Sequence, residues 1–232
     1  MSGAAVLANA SRTLGRMQIF SGLPEEDIRR LDARCPPHKV AAGQWVIDAQ
    51  AEGADVFFVY SGMARVVILG AGREMILRDI REGEYFGQYS AIDGKPRSAA
   101  ILAVTDSVFA RMSASLFWET IHTYPSVREQ VLKALVSDAR ALNQRTNEQA
   151  NFDARQRLCA ELLRLARQTG PDRLVVSPPQ THAELAARIA SHREAVTKML
   201  NGMERDGVIQ RSASAITLLD ASALRRILAG ET

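Results

Sequence analysis

Two cysteines in 232 residues, Cys35 and Cys159, are too few for a zinc or iron–sulfur site, and neither stands in a CxxC or Cys/His spacing. Both read as structural thiols, and no metal site is expected. No apolar run approaches the roughly 20 residues that cross a bilayer. The first stretch, MSGAAVLANASRTLGRM, lacks the basic-then-apolar order of a secretory signal, so the expected address is cytoplasmic, without a membrane partner. No G-x-S-x-G, H-E-x-x-H or P-loop occurs, so no catalytic residues and no enzyme are expected. Charge of one sign is also scarce, the net value being only +3. Residues 1–152 hold 17 basic against 17 acidic side chains, and residues 153–232 hold 12 against 9. The whole excess lies in the last third, which favours a polyanion partner there.

What is present suits an ordinary globular protein of one large or two ordinary domains, 47% hydrophobic and 24% charged. From Val40 to Met112 short apolar runs (QWVID, DVFFVY, ARVVIL, EMILRDI, AAILAV, SVFARM) alternate with glycines about every ten residues. That rhythm predicts an antiparallel barrel or sandwich. ARVVILGAGREMILRDI predicts a hairpin turning at Gly70–Gly72, and SGLPEEDIRRLDARC a helix with Pro24 in its first turn. Trp45 and Trp118 are expected to be packing residues.

After Pro125 the chain runs to Ala150 without proline or glycine. Leu132, Leu135, Ala139, Leu142, Thr146 and Gln149 repeat at heptad spacing, which fits either a parallel dimer helix or an amphipathic helix lying on its own domain. Asp153 is a good N-cap for ARQRLCAELLRLARQ, which is expected to stop at Gly170–Pro171. RLVVSP then predicts a strand, THAELAARIA and SHREAVTKMLNGMERDG two helices at a tight corner, and VIQRSASAITLLD a hairpin. The last third is thus a small α+β module.

Leu185, Ile189, Val196 and Leu200 can close a core between the two cornered helices, with Ala186 and Ala190 small where they meet. The second helix starts at Ser191 or His192 and puts Arg193, Glu194, Thr197 and Lys198 on one face. Arg193 can give two hydrogen bonds to a guanine edge, Glu194 can accept from cytosine, and Lys198 can reach guanine or phosphate. Thr181, His192 and the hairpin around Ser212–Ser214 are placed to meet phosphates. The alternative is a solvated charged face, but a hairpin follows at the spacing of a winged helix. His182 and His192, ten residues apart, read as phosphate or solvent contacts rather than metal ligands.

From about Ile19 to Leu219 the chain resembles the CRP/FNR family of bacterial transcription regulators. IFSGLPEEDIRRL resembles the family's first helix, and REGEYFGQYSAIDGKPRSAAILA its phosphate-binding cassette. PSVREQVLKALVSDARALNQRTNEQANFDARQRL resembles the dimer helix and hinge, and SHREAVTKML the recognition helix. The resemblance implies an α+β fold with a cyclic-nucleotide-binding antiparallel β-barrel (jelly-roll) over residues 1–124. A dimerisation helix and hinge over 125–152 and a winged helix-turn-helix DNA-binding domain over 153–232 would complete it. It implies that Arg97 pairs with a cyclic phosphate, assisted by Ser98 and backbone N–H groups, beside Gly87, Gln88 and Tyr89. "PRSA" matches the nucleotide-binding members, and the N-terminal cysteines of the oxygen-sensing members are missing.

Two departures stand out. Gln88 replaces the glutamate that bonds the ribose 2′-OH, keeping an acceptor but losing its charge. Leu142 and Asn143 stand where relatives carry a Thr-Ser pair that meets adenine. Asn143 can meet adenine or guanine, so cAMP is the expected effector, as the commoner family ligand, with cGMP open and no prosthetic group. The implied partners are this nucleotide, a second copy of the chain in a homodimer, near-palindromic double-stranded DNA, and RNA polymerase. Two alternatives remain: a DNA-binding regulator that is ligand-independent or answers to another small effector, and a nucleotide-binding module acting on a protein.

Overall fold

The computed structural model describes residues 13–49, 51–70, 73–170 and 173–231. The first stretch of the chain, Ala71 and Gly72 of the expected hairpin turn, and Pro171 lie outside the described residues. Two units make up the chain, Met1–Asp138 and Ala139–Thr232.

In the first unit, β3 (Val56–Ser61) shows why a strand can read as unbroken apolar sequence. Its side chains alternate between two cores. Phe57 and Val59 enter one core, whereas Val56, Phe58 and Tyr60 enter another. The first core lies between two antiparallel sheets, ordered β1-β8-β3-β6 and β2-β7-β4-β5. Their remaining strands are β1 (Pro37–Val40), β2 (Trp45–Ile47), β4 (Met63–Gly70), β5 (Arg73–Arg81), β6 (Tyr85–Phe86), β7 (Ala100–Ala103) and β8 (Ser107–Met112). The second core forms where α1 (Glu25–Arg34), α3 (Ala114–Thr123) and Val127 and Val131 of α4 (Pro125–Asn151) cover the other face of the first sheet. A short α2 (Gln88–Asp93) links β6 to β7.

The jelly-roll expectation therefore holds, but the closed barrel needs correcting. Among the described residues the two sheets share no strand-to-strand ladder, and their end strands β2 and β6 are only three and two residues long. Gly62 sits at φ +92°, and a Cβ there would come within 2.2 Å of Ser107 Oγ, so the β3–β4 turn excludes every side chain. Pro24 is the N-cap of α1 rather than a first-turn residue. Trp45 and Trp118 are partly exposed, and the Trp118 indole donates to the Ala91 carbonyl at 2.8 Å.

The second unit contains α5 (Ala154–Leu165), β9 (Arg167–Gly170), β10 (Arg173–Val176), α6 (His182–Arg188), α7 (Arg193–Arg205), β11 (Ile209–Arg211), β12 (Ile216–Leu218) and α8 (Ala221–Ala229). The Asp153 capping box starts α5 as expected. The helix ends earlier than its sequence suggested. Ala166 is extended, and Arg167–Gly170 pairs antiparallel with β10, giving a four-stranded sheet β11-β12-β10-β9. Pairing with β10 overrides the helical tendency of ARQ.

Leu158, Leu162, Leu185, Ile189, Val196 and Leu200 are among the residues that close the second unit's core. Beneath it runs an ionic cluster. Glu161 on α5 accepts from Arg188 of α6 at 3.5 Å, from Arg145 of α4 at 3.4 Å, and from Arg164. Arg164 also holds Glu148 at 2.6 and 2.8 Å. Glu161 is 1% exposed and Arg188 2%. Both cysteines are free and buried, and burial pushes each thiol up to about 12, so neither is a nucleophile at neutral pH.

Candidate functional site

The loop after β6 is built around Gly87. Its φ is +88°, and a Cβ there would lie 2.6 Å from the Asp55 carbonyl and 2.9 Å from Arg97 Nη1. Only glycine lets the guanidinium approach. Arg97 Nη1 donates to the Gly87 carbonyl at 3.0 Å, and Nη2 to the Asp55 carbonyl at 2.8 Å. The side chain is 8% exposed. Burial lowers its pKa and Asp55 opposes that fall, but a guanidinium stays charged at any physiological pH. Asp55 spends its own carboxylate on Arg111, 2.5 Å away. The buried cation is therefore held by neutral carbonyls. Ser98 beside it is exposed.

The structure thus joins Arg97 to Gly87, but it turns Gln88 and Tyr89 elsewhere. Gln88 is buried and donates through Nε2 to Asp138 Oδ2 at 3.4 Å, and the Tyr89 hydroxyl donates to the same oxygen at 3.0 Å. Burial, and then Asp138, push the Tyr89 hydroxyl up to about 12, which keeps it a donor. A glutamate in place of Gln88 would face the Asp138 carboxylate, which gives the departure at this position a local cause. Beside it lies a cavity of about 350 Å³ lined by Arg78, Tyr85, Gln88, Lys133, Ser137 and Asp138, among others. The buried Tyr85 hydroxyl has no hydrogen-bond partner among the described residues, so the cavity suits a polar guest or water. Nothing in the sequence singled out Asp55, Tyr85 or Asp138.

On α4, Leu135 packs against the first unit's core with Val127 and Val131. Leu132 and Val136 point outward, 57% and 54% exposed, and Leu142 is also exposed. One face of this helix lies on its own unit, as one of the two readings expected, and the opposite face carries an exposed apolar stripe in which Val136 rather than Leu135 stands beside Leu132. Leu142 and Asn143 are exposed and belong to the second unit.

In the second unit the corner between α6 and α7 turns at Ala190, with φ +49°. Ala190 is exposed in that turn, whereas the small residue buried in the core is Ala186. Thr181 caps α6 through a capping box with Glu184, and His192 is the N-cap of α7. Arg193, Glu194, Thr197 and Lys198 line one shallow concavity with Asn201 and Arg205. Arg193, Glu194 and Lys198 are exposed, and among the described residues their side chains have no protein partner. Three unpartnered charged groups on one helix face form a surface ready for an external ligand. His182, by contrast, is already bonded, 2.8 Å from Thr197 Oγ1. The hairpin after α7 carries Ser212, whose hydroxyl accepts from the Ala215 N–H at 3.0 Å.

Residues 37–124 match the cyclic nucleotide-binding domain, and residues 156–227 match the Crp-like helix-turn-helix domain. A protein named cyclic AMP receptor protein from Thermus thermophilus is 29% identical over 215 residues, covering 91% of this chain and 97% of its own. A CRP-like cAMP-activated global transcriptional regulator from Mycobacterium tuberculosis is 25% identical over 217 residues, covering 92% and 97%. Among solved structures, a CooA variant from Carboxydothermus hydrogenoformans aligns with a TM-score of 0.76 at 20% identity, covering 86% of this chain and 90% of that one. FixK2 from Bradyrhizobium japonicum aligns at 0.72 and 16% identity, covering 83% and 96%. These two likenesses show the fold.

Proposed function

This chain belongs to the CRP/FNR family of transcription regulators, which are not enzymes, and from that premise we propose a cyclic-nucleotide-controlled, homodimeric DNA-binding regulator acting in the cytoplasm. The nucleotide binds residues 1–124 at Gly87, Gln88, Tyr89, Arg97 and Ser98. Residues 125–152 pair with a second copy through the exposed Leu132, Val136 and Leu142 stripe. Residues 153–232 meet near-palindromic duplex DNA through Thr181, His192, Arg193, Glu194, Thr197 and Lys198, with RNA polymerase a further partner. Two recognition helices one DNA turn apart would span roughly 34–36 Å.

One observation carries the effector reading: a buried guanidinium whose hydrogen-bond partners among the described residues are the carbonyls of Gly87 and Asp55. A phosphate offers charged acceptors, and hydrogen bonds to charged groups contribute about 1.5–3 kcal/mol against about 1 for neutral ones. An anion therefore displaces those carbonyls favourably. Relatives named a cAMP-activated regulator and a cyclic AMP receptor protein make cAMP the first expectation. Asn143, with both a donor and an acceptor, keeps cGMP in play. Control of DNA binding requires the nucleotide to prefer one arrangement of the dimer.

Calorimetry with cAMP and with cGMP tests this reading, alongside Arg97→Ala, which should weaken binding by roughly 10- to 100-fold. Absence of heat and of any thermal shift at millimolar nucleotide would refute the effector. The bonds from Gln88 and Tyr89 to Asp138 favour one second reading, a ligand-independent regulator or one with another small effector. That reading predicts specific DNA binding unchanged by either nucleotide in a gel shift.

A further inference from the structure

Thr197 shares the outward face of α7 with Arg193, Glu194 and Lys198, yet its hydroxyl is engaged by the protein. The oxygen lies 2.9 Å from the Arg193 carbonyl and 2.8 Å from Nδ1 of His182 on α6. On its other side, His182 Nε2 lies 3.4 Å from Nη1 of Arg211, at the end of β11. Arg211 is in turn anchored by Glu204 at 2.6 Å and Asn201 at 2.7 Å.

Proton bookkeeping fixes this chain. An arginine has only donors, so Nε2 of His182 accepts. Nδ1 then carries the proton and donates to Thr197 Oγ1. The threonine hydroxyl gives its single proton to the Arg193 carbonyl. Along the line from Arg211 Nη1 through His182 to Thr197 each donor then meets an acceptor, and the order cannot be reversed without facing two donors together. Burial, then the positive charges of Arg211 and Arg193, keep His182 below its usual pKa, in keeping with a neutral ring.

We propose that Thr197 reads thymine. With its hydroxyl proton spent on the Arg193 carbonyl, the group it offers a major groove is its γ-methyl, whose partner there is the C5-methyl of thymine. His182 is the positioning residue that holds the hydroxyl away. Arg193, Lys198 and Glu194 suit guanine and cytosine, so each half-site should pair a G·C-reading segment with one thymine. The inference rests on the proposed DNA contact through α7.

Selection of duplexes from a random pool by the full-length protein, with cAMP and with cGMP present, provides the test. The expected site carries one thymine per half-site whose selection survives Thr197→Val, which keeps the methyl and loses the hydroxyl. Thr197→Ser, with the opposite change, should lose it. Replacing that thymine by deoxyuridine should weaken the parent protein and Thr197→Val roughly fourfold, the worth of one buried methyl, and leave Thr197→Ser unchanged. His182→Ala should relax thymine selection in the parent but not in the Thr197→Val background. Selection that survives in Thr197→Ser and fails in Thr197→Val, or indifference to deoxyuridine, would overturn the methyl assignment. An equal effect of His182→Ala in both backgrounds would overturn the positioning role. A pool that yields no preferred sequence with either nucleotide would overturn the DNA-binding reading beneath both.

Discussion

Twelve of the thirteen aromatic residues precede Pro125, and beyond it only Phe152 remains. The first unit accordingly packs rings: Phe57 stacks on Phe86 at 5.3 Å, Phe58 on Tyr85 at 5.5 Å, and Phe109 meets both Phe57 and Phe86 edge-on. The second unit has an aliphatic core of leucine, isoleucine, valine and methionine, and ties its helices with buried Glu161 and Arg188. The first unit buries Arg65 and Arg97 and the second buries Arg188, and the partners differ: Arg65 is paired with the buried carboxylate of Asp79 at 2.7 Å. Arg188 faces a carboxylate, whereas Arg97 faces two carbonyls. A guanidinium held by a fixed opposite charge has no reason to exchange it. One held by neutral dipoles gains by meeting an anion. The nature of the partner, more than the burial, decides which buried arginine is available to a ligand.

The largest test of that contrast removes the fixed charge. Glu161→Ala leaves Arg188 buried without its carboxylate and should cost the second unit about 3–5 kcal/mol in chemical denaturation. Arg97→Ala, which strands only two carbonyls, should cost the first unit about 1–3 kcal/mol. Equal losses would erase the distinction. Next, Gln88→Glu sets a second carboxylate against Asp138 and should destabilise the first unit by about 1–3 kcal/mol at neutral pH. Adding Asp138→Asn should restore most of that loss, and a double variant as unstable as the single one would argue against the pairing.

Smaller effects belong to the second unit. Ala190→Gly relieves a left-handed alanine, so the denaturation midpoint should rise, by no more than about 1 kcal/mol. The smallest concerns pH. His182 faces Arg211 and Arg193, with Glu204 beyond Arg211, and its pKa lies below the ordinary value of about 6.5. The folded unit then binds fewer protons than the unfolded chain as pH falls below about 6.5. Its stability is complete above that value and declines as pH falls toward the lowered pKa. Urea midpoints at successive pH values should decline less in His182→Gln than in the parent.

Much of this was legible in the sequence because it is local. The short apolar run DVFFVY, the cap at Asp153, and the core spacing of Leu185, Ile189, Val196 and Leu200 each rest on neighbours within a few residues. The end of α5 was misjudged because β10, not local propensity, decides where Arg167–Gly170 goes. The heptad spacing set Leu135 on one stripe with Leu132 and Leu142, but Leu135 is drawn onto the first unit's core, a contact that spacing does not report.

From the residues alone came the strand-rich first region, the long helix, the small α+β module and the face of α7, since backbone periodicity and turn chemistry operate over short spans; the cassette with Arg97 at its close came from the family resemblance. Tertiary structure alone decided what those side chains do. Arg97 finds its carbonyl at Asp55, 42 positions away, and Gln88 finds Asp138, 50 away. Thr197 finds His182, 15 positions back on another helix. A hydrogen bond is made by whichever group the fold delivers within about 3 Å, and no local pattern encodes that delivery.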